Sequence, residues 1–347
     1  MPPMPRMRTV LTVLALVSAT TSLSADWSPE LAARYLDSRQ KDWFAWKTAA
    51  SADGPCVSCH TGMTYLLARP ALRRALNEGQ PTIYEKGLLD RLRANVGAKP
   101  AGALQSVEAI FSAMFLSRED ARDTMSAHTR KAFDQLWTLQ GAEGPTKGAW
   151  RWYAASLDPW ENPESVYYGA SVAALAIGQA PASYRVDPSV REHVASLTTY
   201  LANPPASPRL HDRLALLWAS STLPTVLPEA ARNTLLSDVF AKQSADGGWT
   251  LESLGPWMAH ADPPPASGSN GYATAFTAFV LNRAGVAASH PGLARALTWL
   301  RSHQDPMTGA WPAVSMNKRY PAGSMESLFM QDAATAFAAL ALIEAAR

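Results

Sequence analysis

The sequence has few charged residues and almost no net charge. Asp, Glu, Lys and Arg make up 17% of the 347 residues, whereas hydrophobic residues make up 47%. The formal net charge is +2, and Arg6 and Arg8 account for it, so the chain after residue 25 is neutral. A neutral chain argues against nucleic acid or another acidic polymer as the main partner.

Long apolar runs are also scarce. The N-terminus has two arginines, an apolar segment over 10–17 and small residues up to Ala25, a pattern typical of a secretory signal. The apolar segment is too short to span a bilayer, and no later segment is continuously apolar enough to do so. We therefore predict a signal peptide over 1–25 and one domain over 26–347, exported to the periplasm or secreted, with no transmembrane segment in the mature chain.

Strand signals are scarce too, and Ala- and Leu-rich helical patterns dominate. Three stretches follow one plan: an amphipathic helix ending in Gln, a turn with Gly-x-Trp, a loop, and a helix rich in small residues. The glutamines are Gln140, Gln243 and Gln304, and the second helix follows each of them by 29 or 30 residues. Such regular spacing indicates an internal repeat.

Three further helix pairs without the Trp fit the same rhythm. They are 28–46 with 59–70, 82–96 with 103–117, and 187–205 with 207–221. This makes six αα-hairpins with amphipathic outer helices and Ala/Gly-rich inner helices, as expected for helices that are buried on all sides. We predict an all-α closed ring, an (α/α)6 toroid; an open solenoid is the alternative.

The Gln and Gly-x-Trp turns resemble the QW motif of the squalene–hopene cyclase and prenyltransferase superfamily. The closest copy is QSADGGW (243–249), QDPMTGAW (304–311) is a good one, and QGAEGPTKGAW (140–150) is stretched. The resemblance covers roughly residues 130–345. It implies a terpenoid cyclase-like toroid in which each Gln caps the neighbouring helix and stacks against the Trp. Such motifs indicate fold rather than activity.

The catalytic motifs of that superfamily are absent. The sequence has no DxDD, no DDxxD and no adjacent Asp pair, and its only cysteines are at positions 56 and 59. We therefore expect neither cyclisation nor zinc-dependent prenyl transfer. Other toroids cleave polysaccharides, and Glu161, Glu164, Tyr167 and Tyr168 are candidates for that chemistry. The two glutamates also suit the start of a helix, and the two tyrosines suit ordinary packing.

The two cysteines form a C-x-x-C-H motif, Cys56 to His60. This is the attachment signature of haem c: both thiols bond to the haem and the adjacent imidazole ligates the iron. A disulfide, a zinc site and chance are the alternatives, and zinc needs four ligands. We predict covalent haem c held by Cys56, Cys59 and His60, at the start of the first inner helix and thus at the mouth of the ring.

The sixth iron ligand is less defined. His211, near the start of the fourth inner helix, and His260, in a long loop, are candidates, and a five-coordinate open iron is the alternative. The main expectation is an exported haem protein for electron transfer or redox chemistry, with a redox partner protein or a hydrophobic small molecule as partner. The alternative is a non-redox toroid, a polysaccharide lyase or a ligand-binding module, with the two cysteines in a disulfide.

Overall fold

A computed structural model describes residues 27–51, 54–98, 102, 104–121, 123–263 and 267–346. The predicted signal peptide lies outside the described residues. The helices are α1 (Pro29–Ala45), α2 (Gly62–Ala75), α3 (Ile83–Asn95), α4 (Gln105–Glu119), α5 (Ala127–Thr138), α6 (Val166–Gln179), α7 (Ala182–Arg185), α8 (Pro188–Ala202), α9 (Leu210–Ser220), α10 (Glu229–Ala241), α11 (Leu251–Leu254), α12 (Gly271–Arg283), α13 (Pro291–Ser302) and α14 (Phe329–Ala345).

Twelve of these helices form the six predicted hairpins. The outer helices are α1, α3, α5, α8, α10 and α13, and the inner helices are α2, α4, α6, α9, α12 and α14. Around the centre α2 packs on α14, α14 on α12, α12 on α9, α9 on α6 and α6 on α4. Because α1 and α2 both pack on α14, the last hairpin meets the first and the ring closes. The prediction of an all-α (α/α)6 toroid is confirmed.

Local sequence explains where the outer helices begin. Ser28 and Ser126 accept a hydrogen bond from a main-chain N–H three residues later, which satisfies a donor that the helix leaves unpaired. Thr82 and Glu85 form a capping box at the start of α3. The inner helices are buried along most of their length, as in α6, where every residue from 167 to 177 is buried.

Strand structure within the described residues is confined to one short ribbon, Ala50–Ser51 paired with Gly54–Pro55. The ribbon leads directly into the cysteine motif, where the Cys56 N–H donates to Ala49 O at 2.9 Å. Trp43 Nε1 donates to Cys56 O at 2.8 Å, which fixes the segment against α1. The inner helix α2 then begins at Gly62, three residues later than predicted. The Ser58 hydroxyl accepts from the Thr61 and Gly62 N–H groups and so forms a turn before it.

The repeated glutamines connect neighbouring hairpins, as the resemblance to QW motifs implies. Each side-chain amide donates to a carbonyl of its own glycine turn and to a carbonyl at the start of another outer helix. The pairs are Gln140 with Gly148 (2.9 Å) and His193 (3.0 Å), Gln243 with Gly247 and Gly292 (both 2.7 Å), and Gln304 with Gly309 and Ser28 (both 2.9 Å).

The Trp of each repeat is fully buried and ties the turn to the outer helix that precedes it. The indole N–H groups of Trp150, Trp249 and Trp311 donate to the carbonyls of Leu136, Val239 and Leu300, at 2.8, 2.9 and 2.8 Å.

One segment of the described chain, Glu326–Ala345, is long and apolar enough to cross a membrane by length and composition alone. It comprises α14 and the turn before it, and 67% of its most apolar window is buried in the ring. Its apolar character is therefore explained by its central position, where it packs on α1, α2, α12 and α13.

Candidate functional site

The N-terminal ends of the inner helices gather aromatic and ionisable side chains at one end of the ring, which we call the mouth. His60 precedes α2, Trp160 lies in the loop before α6, and Phe329 begins α14. The His60 ring stacks on Phe329 with centroids 3.7 Å apart, and Trp160 lies 6.0 Å from His60 and 5.2 Å from Tyr272. The hairpin topology thus places these separate segments together, because every inner helix starts at this end.

A buried arginine organises one side of the mouth. Arg209 Nη1 donates to Asp158 Oδ1 at 2.7 Å, and its Nε donates to Asp212 Oδ2 at 2.9 Å. Asn317 clamps the Asp158 main chain through two hydrogen bonds of 2.8 Å. The Arg209 guanidinium thus lies between two buried carboxylates, and further polar groups complete the hydrogen bonding of the cluster. The cluster joins the loops before α6, α9 and α14.

His211 is part of this polar network. Its Nδ1 lies 2.8 Å from Asp212 Oδ1 and its Nε2 lies 2.8 Å from the Tyr272 hydroxyl, which also accepts from Trp160 Nε1 at 3.0 Å. Burial lowers the pKa of His211, so the imidazole is neutral, donating to Asp212 and accepting from Tyr272. Both ring nitrogens are thus engaged, which argues against the predicted role of His211 as a distal metal ligand.

His260 lies in the loop after α11. Its Nε2 is 3.7 Å from Asp158 Oδ2, which is too far for a hydrogen bond, and it has no hydrogen-bond partner among the described residues. The structure therefore places His260 beside the Asp158 and Arg209 pair. The predicted sixth ligands, His211 and His260, both neighbour this pair.

A second buried carboxylate lies on the side of the mouth next to His60. Asp332 of α14 accepts from Arg39 Nε at 2.7 Å and Nη2 at 3.2 Å, from the Tyr35 hydroxyl at 2.9 Å and from the Thr61 hydroxyl at 2.7 Å. Burial raises the pKa of Asp332, but four donated hydrogen bonds, two of them from a guanidinium, oppose this effect and hold the group as a carboxylate. The carboxylate therefore fixes the position of Thr61.

This arrangement assigns the tautomer of His60. The Thr61 hydroxyl gives its one proton to Asp332, so it must accept from His60 Nδ1, which lies 2.8 Å away. The lone pair of the ring is then on Nε2. Burial, with a smaller effect of Arg39, lowers the pKa of His60 to about 3, so the imidazole is neutral. His60 is a fixed hydrogen-bond acceptor at the mouth.

Glu161 is a partly buried acid in this region that lacks a cation. It sits in a tight loop in which Leu157 and Glu161 exchange two main-chain hydrogen bonds of 2.8 Å. Its carboxyl group has no hydrogen bond or ion pair with the described residues, and burial raises its pKa to about 7. Asp158, Asp212 and Asp332 differ because each is paired with an arginine.

Tyr320 lies near Glu161 and near a second carboxylate, that of Glu326. Burial raises the pKa of the Tyr320 phenol, and the charges of Glu326 and Glu161 raise it further. Both carboxylates therefore lie within electrostatic reach of one hydroxyl group. Glu161, Tyr320 and Glu326 are all partly accessible to solvent.

The cysteine motif borders this cluster. Cys56 is partly accessible and Cys59 is buried, and both are free thiols. Burial raises the pKa of Cys56 to about 11 and that of Cys59 well above its ordinary value, and Glu161 contributes to both shifts. Both groups are therefore protonated and weakly nucleophilic at neutral pH. Within the described residues no three His, Cys, Asp or Glu side chains are grouped so that they could hold a metal ion.

The other sequence candidates have different positions. Tyr167 donates to Leu201 O at 3.0 Å and Tyr168 is buried with its ring stacked on His211, so both are packing residues. Glu164 is exposed in the turn before α6. The sequence names Glu161 as a candidate, but it carries no local signal for the burial of Glu161 or for its proximity to Tyr320, which lies far along the chain.

No family model matches the chain, and no curated protein matches it. Solved structures do match it over nearly its whole length. A structure described as a glycosidase has a TM-score of 0.53 and 11% identity, covering 92% of this chain and 98% of the other. The ring is similar in fold to known glycosidases.

Two further structures support this likeness. An inactive variant of an alpha-1,6-mannanase of Salegentibacter sp. HEL1_6, in complex with alpha-1,6-mannotetrose, has a TM-score of 0.52 and 10% identity, covering 91% of this chain and 99% of the other. Another glycosidase has a TM-score of 0.51 and 12% identity, with 92% and 97% covered. Identities this low establish the shared fold alone.

Two sequence interpretations are corrected by these findings. The toroid is confirmed, but the similar structures are glycosidases, which does not support the assignment to the squalene–hopene cyclase superfamily. The interpretation of the chain as a haem redox protein is contradicted by the same likeness and by the lack of a metal-binding group within the described residues. The fold comparison does not test whether haem c is covalently attached to Cys56 and Cys59. This attachment therefore stays a prediction.

Proposed function

We propose that the protein is a glycan-acting hydrolase with its active site at the mouth of the ring. The observation that carries the proposal is Glu161, a partly accessible carboxyl group without a cation partner and with a pKa raised to about 7. A carboxyl group with such a pKa is protonated in a useful fraction of molecules at neutral pH. It can therefore serve as a general acid.

Glycoside hydrolysis requires a second carboxylate, and Glu326 is our candidate. Tyr320 lies within electrostatic reach of both groups. In the proposed reaction Glu161 gives its proton to the glycosidic oxygen while the bond to the anomeric carbon breaks. Glu326 either attacks that carbon or removes a proton from the attacking water. If Glu326 attacks, water then cleaves the glycosyl ester while Glu161 removes its proton, which leaves Glu161 protonated again. If Glu326 acts as the base, it ends protonated and Glu161 ionised, and proton exchange with solvent restores both groups. Either route consumes one water.

The rest of the mouth suits a sugar. Trp160, Tyr320 and Phe329 offer aromatic faces or edges close to Glu161 and Glu326, and pyranose rings pack on such surfaces through their C–H groups. His60 Nε2 is a fixed acceptor that can receive a hydrogen bond from a sugar hydroxyl. The similar alpha-1,6-mannanase makes alpha-1,6-linked mannan the first substrate to test.

The test is hydrolysis of a glycan panel by the purified protein, with alpha-1,6-mannan first. We expect Glu161→Gln to lower kcat by roughly 10²- to 10⁴-fold, the usual contribution of a general acid. The matched control is Glu164→Gln, which changes an exposed glutamate in the same loop and should keep full activity. The wild-type rate should fall above about pH 7 as Glu161 ionises.

Two results would contradict this function. One is a correctly folded wild-type protein that hydrolyses no glycan in the panel. The other is an active enzyme in which Glu161→Gln and Glu164→Gln behave alike. Export, predicted from the N-terminal segment, stays a proposal that fractionation of cells would test, and it would place the enzyme where polymeric glycans are accessible.

A further inference from the structure

A cavity at the opposite end of the ring from the mouth collects three arginines. It has a volume of about 190 Å³ and lies between α2, α3 and α4. Its polar wall includes Arg73 and Arg74 in the last turn of α2 and Arg118 in the last turn of α4. The mouth lies at the other ends of these same helices, so the cavity is separate from the proposed active site.

The cavity occupies a gap in the ring. Five pairs of neighbouring inner helices pack directly on one another, whereas α2 and α4 are joined mainly through α3. Leu67, Leu89 and Phe115 line the space between them. The cavity thus combines apolar side chains with a cationic end.

Two of the guanidinium groups, those of Arg73 and Arg118, have few partners among the described residues. Arg73 has one contact to Glu85, at 3.4 Å, and its buried Nε has no hydrogen-bond partner among the described residues. Arg118 is exposed and forms no hydrogen bond or ion pair with the described residues. The unpaired buried Nε of Arg73 is unfavourable, and a bound acceptor would satisfy it.

The two carboxylates that line the cavity do not cancel this charge. Glu85 is engaged in the capping box of α3, where its second oxygen accepts from Thr82 N at 2.7 Å. Glu119 is exposed and lies 3.9 Å from Arg93. Three arginines therefore line the cavity together with two acids, and both acids also have partners outside it.

A basic residue in the last turn of a helix can also stabilise that helix without any ligand, because its charge interacts favourably with the carbonyl groups at the helix end. Neither Arg73 nor Arg118 donates to a main-chain carbonyl within the described residues, so this role does not account for their placement. The placement of these two arginines is explained by the cavity, which both side chains line.

We propose that this cavity binds a small organic anion, with an oxyanion headgroup on the arginines and a compact apolar body between α2 and α4. Guanidinium groups bind carboxylate and phosphate oxygens through paired hydrogen bonds. The headgroup class is therefore carboxylate or phosphate, and the apolar walls exclude a fully hydrated body.

The test is isothermal titration calorimetry of the full chain with benzoate, phenyl phosphate and inorganic phosphate. We expect benzoate or phenyl phosphate to bind at least roughly tenfold more tightly than inorganic phosphate, and their relative affinities identify the headgroup. Arg118→Gln and Arg73→Gln should each weaken that binding at least roughly tenfold. Arg191→Gln, on the exposed face of α8, should leave it unchanged.

Arg118 is exposed, so its replacement should leave the fold intact, and the melting temperature of the unliganded variants checks this. The proposal is overturned if none of the three anions binds, or if folded Arg118→Gln binds as tightly as the wild type. Equal binding of inorganic phosphate and phenyl phosphate would overturn the assignment of an organic ligand. None of these readouts depends on glycan hydrolysis.

Discussion

At the scale of single residues, two glutamates of one loop show how environment decides chemistry. Glu161 and Glu164 are three positions apart, and both precede α6. Glu164 is exposed, whereas Glu161 is partly buried without a cation, and its pKa rises to about 7. The sequence suggested the same two roles for both, glycan cleavage or stabilisation of the helix start, and it carried no local signal for the burial of Glu161.

The raised pKa of Glu161 predicts a pH-dependent stability. Between its ordinary pKa of 4.5 and about 7, the folded protein holds a proton that the unfolded chain has released. The free energy of unfolding should therefore fall as the pH rises through this window, by at most roughly 3 kcal/mol. Urea unfolding at pH 4.5 to 8 measures this fall, and Glu161→Gln should remove it. An identical pH profile in the variant would refute the assigned pKa.

At the scale of elements, the repeated Gln and Trp turns are the part of the sequence that best predicted the structure. Each Gln connects its own turn to another outer helix, and each Trp N–H pairs with the preceding outer helix. These contacts recur in all three copies, although the turn after Gln140 is longer. The motif thus specifies how neighbouring hairpins join, and it says nothing about catalysis.

Loss of one such connection should lower the free energy of unfolding. Gln243→Ala loses two hydrogen bonds of 2.7 Å to Gly247 O and Gly292 O, so we expect a loss of roughly 2 kcal/mol in the free energy of unfolding. Lys242→Ala, at the exposed neighbouring position, should change it by less than roughly 0.5 kcal/mol. Urea titration of both variants measures the difference, and equal midpoints would show that the Gln contacts contribute nothing.

At the scale of the whole molecule, closure of the ring depends on the first and last hairpins. Arg39 of α1 forms a buried two-point ion pair with Asp332 of α14, and Tyr35 and Thr61 donate to the same carboxylate. Almost three hundred residues separate the partners in sequence, so this contact exists only in the closed ring. It also sets the tautomer of His60, which connects closure of the ring to the geometry of the mouth.

Loss of this ion pair should destabilise the whole ring. Arg39→Met leaves the Asp332 carboxylate buried without its cation, and we expect a loss of about 3–5 kcal/mol. Arg34→Met, on the exposed face of the same helix, serves as the matched control and should be nearly neutral. Calorimetric or urea unfolding distinguishes the two. A loss below roughly 1 kcal/mol for Arg39→Met would mean that Asp332 is not ionised in the fold.

The helix pairs, their order and the ring follow from sequence patterns alone, because amphipathic periodicity and the Gln and Trp turns are local. The cysteine motif was predicted at the start of the first inner helix, and that helix begins at Gly62, just after the motif. Which ionisable groups have partners depends on the tertiary structure. Arg209 pairs with Asp158 and Asp212, Arg39 pairs with Asp332, and Glu161 remains without a cation. Burial and pairing depend on segments that meet only when the ring closes, and no local pattern encodes them.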